Sequence, residues 1–382
     1  MKEFDVRTRV YFGQDALDRL KEMPYKRVLI IADPFVVTSG MVQHAVRRLQ
    51  EVGIAYSIYS DVVPDPPIDK VVGGIGAALQ FRPEVIVAIG GGSAIDLSKA
   101  VRKFAKNVDA TFDAKLIAVP TTSGTGSEVT CFAVITDPEK GTKYPLTSPE
   151  LIPDEAILDE VLVKSVPAAV TADTGMDVMT HAFEAYVSIQ NNEFTGAFAE
   201  KAVEICGQFL LRSQADNNDT HARRKMHVAS CLAGLAFNGS SLGLNHGMAH
   251  QLGAVFHIPH GRANSILLPY IVEYNSEINL YSRSKNSYAP CVQKYCNMAR
   301  ILGVSNLNEI VTVRALINYI RFMSNEMGMP QSVSEACPNL TEEEYLSKVS
   351  LMAKNALQDG CTATNPRIPT LDDVIELYKA IW

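Results

Sequence analysis

The sequence is poor in the features that mark several classes of protein. No stretch approaches the run of about 18 apolar residues that a membrane-spanning helix needs, and Met1-Lys2-Glu3-Phe4-Asp5 carries no apolar h-region of a secretory signal. Neither membrane insertion nor export is expected. Lysine and arginine number 35 against 42 acidic residues, a net charge of −7. That leaves no basic excess to draw the chain to nucleic acid or to an anionic membrane. The seven cysteines (Cys131, Cys206, Cys231, Cys291, Cys296, Cys337, Cys361) are odd in number, scattered, and include no C-x-x-C pair. This argues against a disulfide framework or a thiolate zinc site and points to a reducing cytoplasm. Internal repeats and low-complexity tracts are absent as well.

What remains is an ordinary globular composition, 47% hydrophobic and 20% charged over 382 residues, too long a chain for one core. Two domains are expected, and the texture divides near residue 166. Before it, apolar runs alternate with helical stretches such as Val42 to Val52. The runs are Arg27 to Ala32, ending at Asp33; Val85 to Ile89, leading into Gly90-Gly91-Gly92; and Leu116 to Val119, leading into Pro120-Thr121-Thr122. Strands of this kind, buried on both faces and separated by helices, indicate βαβ units on a parallel sheet. Phe4 to Val10 alternates and is expected as an edge strand, and Val63-Pro64-Asp65-Pro66-Pro67 as a loop. After Pro167 the pattern is helical: Thr171 to Val187, Ala197 to Leu211, Ala222 to Phe237 and Val311 to Met327 carry helix-period apolar positions. The expectation is an α/β domain over 1–166 and an all-helical domain over 167–382.

Two glycine-rich loops follow apolar strands. In Gly90-Gly91-Gly92-Ser93-Ala94-Ile95-Asp96, Ser93 and Asp96 have capping-box spacing, so Ser93 is expected to open a helix. Thr121-Thr122-Ser123-Gly124-Thr125-Gly126-Ser127-Glu128 repeats the device with Thr125 and Glu128. Glycines before a helix N-terminus let a phosphate approach backbone N–H groups. One such loop alone could be a plain connector; two in succession favour a dinucleotide. Neither matches G-x-G-x-x-G, and Asp33 precedes the glycines instead of following them by about 20 residues. A carboxylate there would still suit a ribose diol and repel a 2′-phosphate.

Five of the eight histidines fall in two short segments. Asp177 and His181 stand at i, i+4, as do His246 and His250; His257 and His260 follow within ten residues of the latter. On a helix this spacing puts both side chains on one face. Imidazoles with a carboxylate suit a borderline ion such as Fe2+ or Zn2+. Spacing does not choose among His246, His250, His257 and His260. H-x-x-x-H also resembles a zinc-protease helix, but the general-base glutamate is replaced by Gly247. His44, His221 and His227, each alone on an apolar helix, read as satisfied structural residues.

Together these segments resemble the iron-containing (group III) alcohol dehydrogenases. The likeness is carried by Gly90-Gly91-Gly92-Ser93-x-x-Asp96-x-x-Lys99 and by Pro120-Thr121-Thr122-x-Gly124-Thr125-Gly126-Ser127-Glu128-Val129-Thr130. It continues in Thr174-Gly175-Met176-Asp177-x-x-x-His181-Ala182-x-Glu184, in His246-x-x-x-His250-x-x-Gly253 and in Pro259-His260-Gly261. It runs from Tyr11-Phe12-Gly13 to Asn365-Pro366-Arg367. Within the family, Thr8 to Gly13, Asp137 to Leu146 and Gly243 to His246 are similar to the propanol dehydrogenases of propanediol-utilisation microcompartments.

The resemblance implies a dehydroquinate synthase-like fold, an α/β dinucleotide-binding domain followed by an all-helical metal-binding domain. It implies Asp177, His181, His246 and His260 as ligands of Fe2+, with Zn2+ as the alternative. His250 would be a further active-site histidine, Cys361 a residue lining the site, and His257 a structural residue. Gly92, Ser93, Asp96, Thr121, Thr122 and Lys143 match NAD-contacting positions, and Asp33 the position that favours NAD over NADP. The activity implied is interconversion of short-chain primary alcohols and aldehydes, propionaldehyde and 1-propanol first, by a homodimer or higher homo-oligomer. A cytoplasmic location is expected, with a microcompartment interior and a shell-protein partner as the alternative. The rival readings are a glycerol dehydrogenase-like zinc polyol dehydrogenase, or dehydroquinate synthase chemistry, in the same fold. A third is a non-catalytic microcompartment-associated protein that keeps the fold, against which the intact ligand set argues.

Overall fold

In the computed structural model, which describes residues 4–137, 142–278 and 291–382 (without the side chains of 142 and 143), the chain divides into two compact units, Met1–Val166 and Pro167–Trp382. The first is built on a six-stranded sheet. Its strands are β1 (Arg9–Phe12), β2 (Arg27–Ala32), β3 (Ala55–Tyr59), β4 (Val85–Gly90), β5 (Lys115–Pro120) and β8 (Glu155–Leu158), in the order β1-β8-β5-β4-β2-β3. Every pairing in it is parallel. Helices α1 (Arg19–Glu22), α2 (Pro34–Thr38), α3 (Gln43–Glu51), α4 (Ile68–Phe81) and α5 (Gly92–Val108) lie among the strands in sequence.

The apolar runs are explained by this arrangement. Val28, Ile30 and Ala32 join a core with Leu17, Val46 and Leu49, while Leu29 and Ile31 join another with Ala78, Leu97 and Val101. Successive side chains of one strand thus enter two cores, and nearly every position must be apolar. The edge strand expected over Phe4 to Val10 is shifted: β1 is Arg9–Phe12, paired among the described residues with β8 alone. β3, β8 and the antiparallel hairpin β6 (Phe132–Asp137) and β7 (Thr142–Thr147) were not foreseen. They are short or only partly apolar, so the surrounding packing had to select them. The proline-rich stretch is irregular, with Pro67 bridging to Thr136.

From β2 the connection runs outward to β3, then back across β2 to β4. The strand order therefore reverses between β2 and β4, and ligands of open α/β sheets bind beyond the carboxyl ends of the strands at such a point.

Among its described residues the second unit holds helices and no strand: α6 (Ala168–Val187), α7 (Glu193–Ala215), α8 (Thr220–Ser240), α9 (Leu244–Phe256), α10 (His260–Ser276), α11 (Val292–Ile301), α12 (Glu309–Glu326), α13 (Val333–Ala336), α14 (Glu342–Gln358) and α15 (Leu371–Ala380). Their starts are written in the sequence. Asn192 with Thr195, Thr341 with Glu344 and Thr370 with Asp373 form capping boxes on α7, α14 and α15. α6 is buried on all sides from Gly175 to Val187, as expected of a central helix packed by α7, α8 and α10. On α9, Leu244, Met248 and Leu252 enter a core with residues of α10 and α14. His246 and His250 are two residues out of step with them, about half a turn round the helix.

Candidate functional site

Three helices of the second unit bring the four expected ligands together. α6 supplies Asp177 and, one turn on, His181; α9 supplies His246 in its first turn; α10 opens on His260. His260 Nε2 lies 3.5 Å and His246 Nε2 3.7 Å from Asp177 Oδ1, and His181 Nδ1 lies 4.0 Å from Asp177 Oδ2. Each residue offers one ligand atom, and all four atoms lie within 4.8 Å of one another. Tetrahedral ligands at about 2.1 Å from an ion stand about 3.4 Å apart. The cluster is therefore spaced for one first-row ion with little adjustment. Asp177, His181 and His246 are buried, whereas the His260 side chain is 41% exposed and marks the open side.

The electrostatics also suit a cation. Burial alone would raise the Asp177 carboxyl, but His181, His260 and His246 around it hold it far below the ordinary carboxylate range. Burial would likewise lower His246, yet the Glu184 and Asp177 carboxylates push it up to about 9. Buried carboxylates surrounded by imidazoles call for a positive charge, and the donor set of three nitrogens and one oxygen fits a borderline divalent ion.

Residues that the sequence reading left without a role hold this set in place. Glu184 accepts from His246 Nδ1 through one carboxylate oxygen and from the Asn245 backbone N–H (2.7 Å) through the other. It thereby directs His246 Nε2 at the cluster and caps the first turn of α9, whose own N-cap, Gly243, brings no side chain. The Asn264 amide has its orientation set by Asn245, whose Nδ2 donates to Asn264 Oδ1 at 2.8 Å. Its own Nδ2 then donates to Asp177 Oδ1 (2.7 Å) and lies 3.1 Å from His260 Nε2 and 3.2 Å from His246 Nε2. A positional signal existed for both residues. Glu184 stands at i+7 from Asp177, and Asn264 at i+4 from His260, each on its ligand's helix face.

His250 lies outside the four-ligand set. Its ring stacks on His260, with centroids 5.3 Å apart, and its Nδ1 is 2.8 Å from Asp359 Oδ2. His250, Asp359 and Cys361 bring ligand-type atoms within 4.8 Å of one another. The Cys361 thiol is raised well above its ordinary value by burial and by Asp359, so it stays protonated and makes a poor ligand. His257 is exposed, in the left-handed conformation that ends α9 (φ 57°). This helix-terminal place accounts for it without a ligand role.

In the first unit, Asp33, Gly92, Ser93, Thr121 and Thr122 lie just beyond the carboxyl ends of β2, β4 and β5. Asp33 follows β2 and caps α2, its Oδ1 accepting from Val36 N at 2.9 Å. Its Oδ2 faces Gly90, where a Cβ would come within 3.0 Å of it. Thr121 is buried, its N–H bonded to Gly90 O (3.0 Å), and Thr122 faces Gly91. A Cβ on Gly92 would meet Thr125 at 2.9 Å, so the two loops pack face to face.

Both capping boxes proposed from spacing are corrected. α5 starts at Gly92 with Gly91 as N-cap and no side-chain cap, which leaves the half-buried Ser93 inside the first turn. Asp96 instead accepts from Ser127 Oγ (2.6 Å) and Val134 N (2.9 Å), binding the second loop to the first. Thr125 and Glu128 open no α-helix either: Ser127–Val129 is a single 3-10 turn after Gly126 in the left-handed region (φ 62°). The N-cap thus falls on Gly91, two residues before Ser93, and on Gly126, one residue after Thr125, where the left-handed φ favours glycine. Behind the loops, Lys99 is fully buried and donates to Phe132 O (2.6 Å) and Thr130 Oγ1 (3.2 Å). Burial lowers Lys99 to about 8 and raises Glu128 to about 7. Lys143 lies on β7, opposite Thr136; its side chain is outside the described residues.

Comparison with known proteins points the same way. Residues 7–160 match the family model "Iron-containing alcohol dehydrogenase", and residues 171–382 match "Fe-containing alcohol dehydrogenase family, C-terminal". The chain is 41% identical over its full length to the full length of 1-propanol dehydrogenase PduQ of Citrobacter freundii. It is 36% identical, over 100% of this chain and 98% of the relative, to an NADPH-dependent butanol dehydrogenase of Clostridium saccharobutylicum. Among solved structures it is similar to sulfoacetaldehyde reductase from Bifidobacterium kashiwanohense in complex with NAD+. That likeness has a TM-score of 0.85 and 28% identity over 100% of this chain and 98% of the other. With both units matched in order along the whole chain, the protein belongs to the iron-containing alcohol dehydrogenase family and is an oxidoreductase.

Proposed function

We propose that this chain is an NAD(H)-dependent dehydrogenase that interconverts short-chain primary alcohols and aldehydes, with propionaldehyde and 1-propanol as the first candidates. The observation that carries the reading is the convergence of Asp177, His181, His246 and His260 from three helices into one cation-sized cluster. The substrate class follows from the 41% identical 1-propanol dehydrogenase. Asp177, His181, His246 and His260 would hold Fe2+; Glu184 and Asn264 would orient the set. Gly92, Ser93, Thr121 and Thr122 would face the cofactor phosphates, Lys143 would approach it from β7, and Asp96 would support the loop from behind. When bound, the cation polarises the alcohol oxygen and the nicotinamide accepts hydride. His250, beside the cluster and 39% exposed, would hold the proton between substrate and solvent.

Asp33 supports NAD over NADP, because its free Oδ2 would repel a 2′-phosphate. The NADPH-dependent relative shows that cofactor choice varies among similar chains, so it must be measured on this one. A homo-oligomer in the cytoplasm, or in a microcompartment beside an aldehyde-producing reaction, fits the same likeness.

The test is anaerobic purification and reconstitution with Fe2+ or Zn2+. Turnover of NADH and NADPH would then be measured with acetaldehyde, propionaldehyde and butyraldehyde, and of NAD+ with 1-propanol and glycerol. The reading expects the iron form to consume NADH fastest with propionaldehyde and to lose activity in air. It also expects His260→Ala to lose metal and turnover together. Air-stable glycerol oxidation by the zinc form alone would favour the polyol dehydrogenase instead.

A further inference from the structure

α9 carries two histidines one turn apart, and each has a carboxylate on its Nδ1. His246 has Glu184, and His250 has Asp359. On His246 this leaves Nε2 for the cluster. On His250 the same device leaves Nε2 free, and that difference assigns a role to Asp359.

Asp359 is held as firmly as its counterpart. It is the C-cap residue of α14, its carbonyl accepts from Thr362 N at 3.1 Å, and its Oδ1 accepts from Cys361 N at 2.9 Å. Only Oδ2 is left for the imidazole. α9 comes close enough to be reached because position 247 is glycine: a Cβ there would lie 2.1 Å from Thr362 Oγ1 and 3.5 Å from Asp359 Cβ. Thr362 Oγ1 is itself tied back to Ala356 O at 2.7 Å. The Asp359–Thr362 turn is thus braced against α14, and α9 is seated on it at Gly247, one turn from His250.

We infer that Asp359 is a positioning residue for the reaction, fixing His250 in the Nδ1–H tautomer so that Nε2 is its proton-accepting atom. The inference rests on the dehydrogenase reading for the identity of the proton. In alcohol oxidation the substrate O–H bond breaks and its proton passes to His250 Nε2, forming imidazolium. A bound NAD+ would take the carbon-bound hydride with its electron pair, leaving the carbonyl. In the reverse direction the imidazolium returns the proton to the oxygen. Asp359 keeps its charge throughout and never takes the proton. Without it, imidazole has no fixed tautomer, and in the Nε2–H form it has no lone pair to offer there.

The experiment compares wild type with Asp359→Ala, Asp359→Asn, His250→Ala and the double variant Asp359→Ala/His250→Ala. Each is measured for metal content, kcat and KM, and the ring-nitrogen tautomer of His250 is read by 15N NMR on the zinc-loaded protein. Asp359→Ala should lower kcat about 10- to 100-fold, the range seen when a histidine loses its supporting carboxylate. Metal content and KM should stay within about twofold, and His250 should lose its uniform Nδ1–H signal. Asp359→Asn, whose amide oxygen is claimed by the Cys361 N–H so that its Nδ2 donates to His250 Nδ1, should shift the ring to the Nε2–H tautomer and lower kcat at least as far as Asp359→Ala. On the His250→Ala background, Asp359→Ala should cost less than about twofold, since it acts through that ring. An unchanged tautomer in Asp359→Ala would overturn the proposal, as would a kcat loss that only tracks lost metal. A full additional loss in the double variant would also overturn it. If wild type reduces no aldehyde with either cofactor, the dehydrogenase reading fails first; the NMR comparison then still decides whether Asp359 sets the tautomer.

Discussion

Asp33 has one observed task, capping α2, and one proposed task, selecting NAD. Oδ1 caps α2 through Val36 N, and Oδ2 is left facing Gly90 at the strand-order reversal. A substitution that removes both oxygens confuses stability with cofactor choice. Asp33→Ser separates them, because serine caps a helix about as well as aspartate but brings no charge. Like-charge contact in a partly desolvated site costs several kcal/mol. The variant should therefore raise the NADPH:NADH ratio of kcat/KM by about a hundredfold while its melting temperature stays near wild type. An unchanged ratio would leave Asp33 as a cap alone. Glu128 offers a second residue-scale test, in pH. Burial lifts its carboxyl from the ordinary 4.5 to about 7. Between those values the folded state keeps a proton that the unfolded chain has released. Stability is then fully present below about 4.5, falls as pH rises to about 7, and levels off, a loss of about 3 kcal/mol at most. Glu128→Gln, neutral throughout, should gain stability relative to wild type from about pH 5 to pH 7 in urea melts and hold that gain above it. A difference that does not change with pH would contradict the assignment.

At the scale of elements, the proposed metal cluster depends on how closely α10 approaches α6. Gly261, the residue after His260, faces the backbone of α6 so closely that a Cβ would lie 2.0 Å from Asp173 O. Arg262 straddles the same contact, reaching both Asp173 carboxylate oxygens at 3.2 and 3.1 Å. Backbone stands on both sides, so no rotamer change can relieve an added methyl group. Gly261→Ala must push α10 away and carry His260 off the other three ligands. We expect about 1–3 kcal/mol of destabilisation, and a larger relative effect on metal retention, read by competition against a chromogenic chelator. Wild-type metal affinity in that variant would show that α10 has more freedom than the contact allows.

For the whole molecule, the ligands belong to one unit and the glycine loops to the other. A cation that binds only the folded helices stabilises them by linkage, about 3 kcal/mol at a hundredfold excess over its dissociation constant. Chelation should therefore speed hydrogen exchange in α6, α9 and α10 and leave β2, β4 and β5 at their holo rates. Mass spectrometry of peptides from each unit would show this directly. Equal loosening of both units, or of neither, would mean that the cation does not act where the ligands converge.

Much of this was determined by the sequence alone. β2, β4 and β5 were legible because strands buried on both faces need unbroken apolar runs, and α6, α7, α8 and α12 because their apolar positions repeat with the helix period. Local signals did less well where glycine competed with them. Ser93 and Thr125 had the spacing of caps, but the N-caps fell on neighbouring glycines, Gly91 before Ser93 and Gly126 after Thr125. The histidine-rich segments advertised a cation site, yet spacing on α9 and α10 left four histidines eligible. Family resemblance, and not periodicity, chose among them. Tertiary structure alone decided the rest. Asp359 reaches His250 across 109 positions, Glu184 reaches His246 across 62, and Asp96 ties Ser127 across 31. Hydrogen bonds of that range leave no period in the chain. They exist only once hydrophobic burial has set the helices and strands side by side, which is why the residues that orient the site stayed hidden while those that form its elements did not.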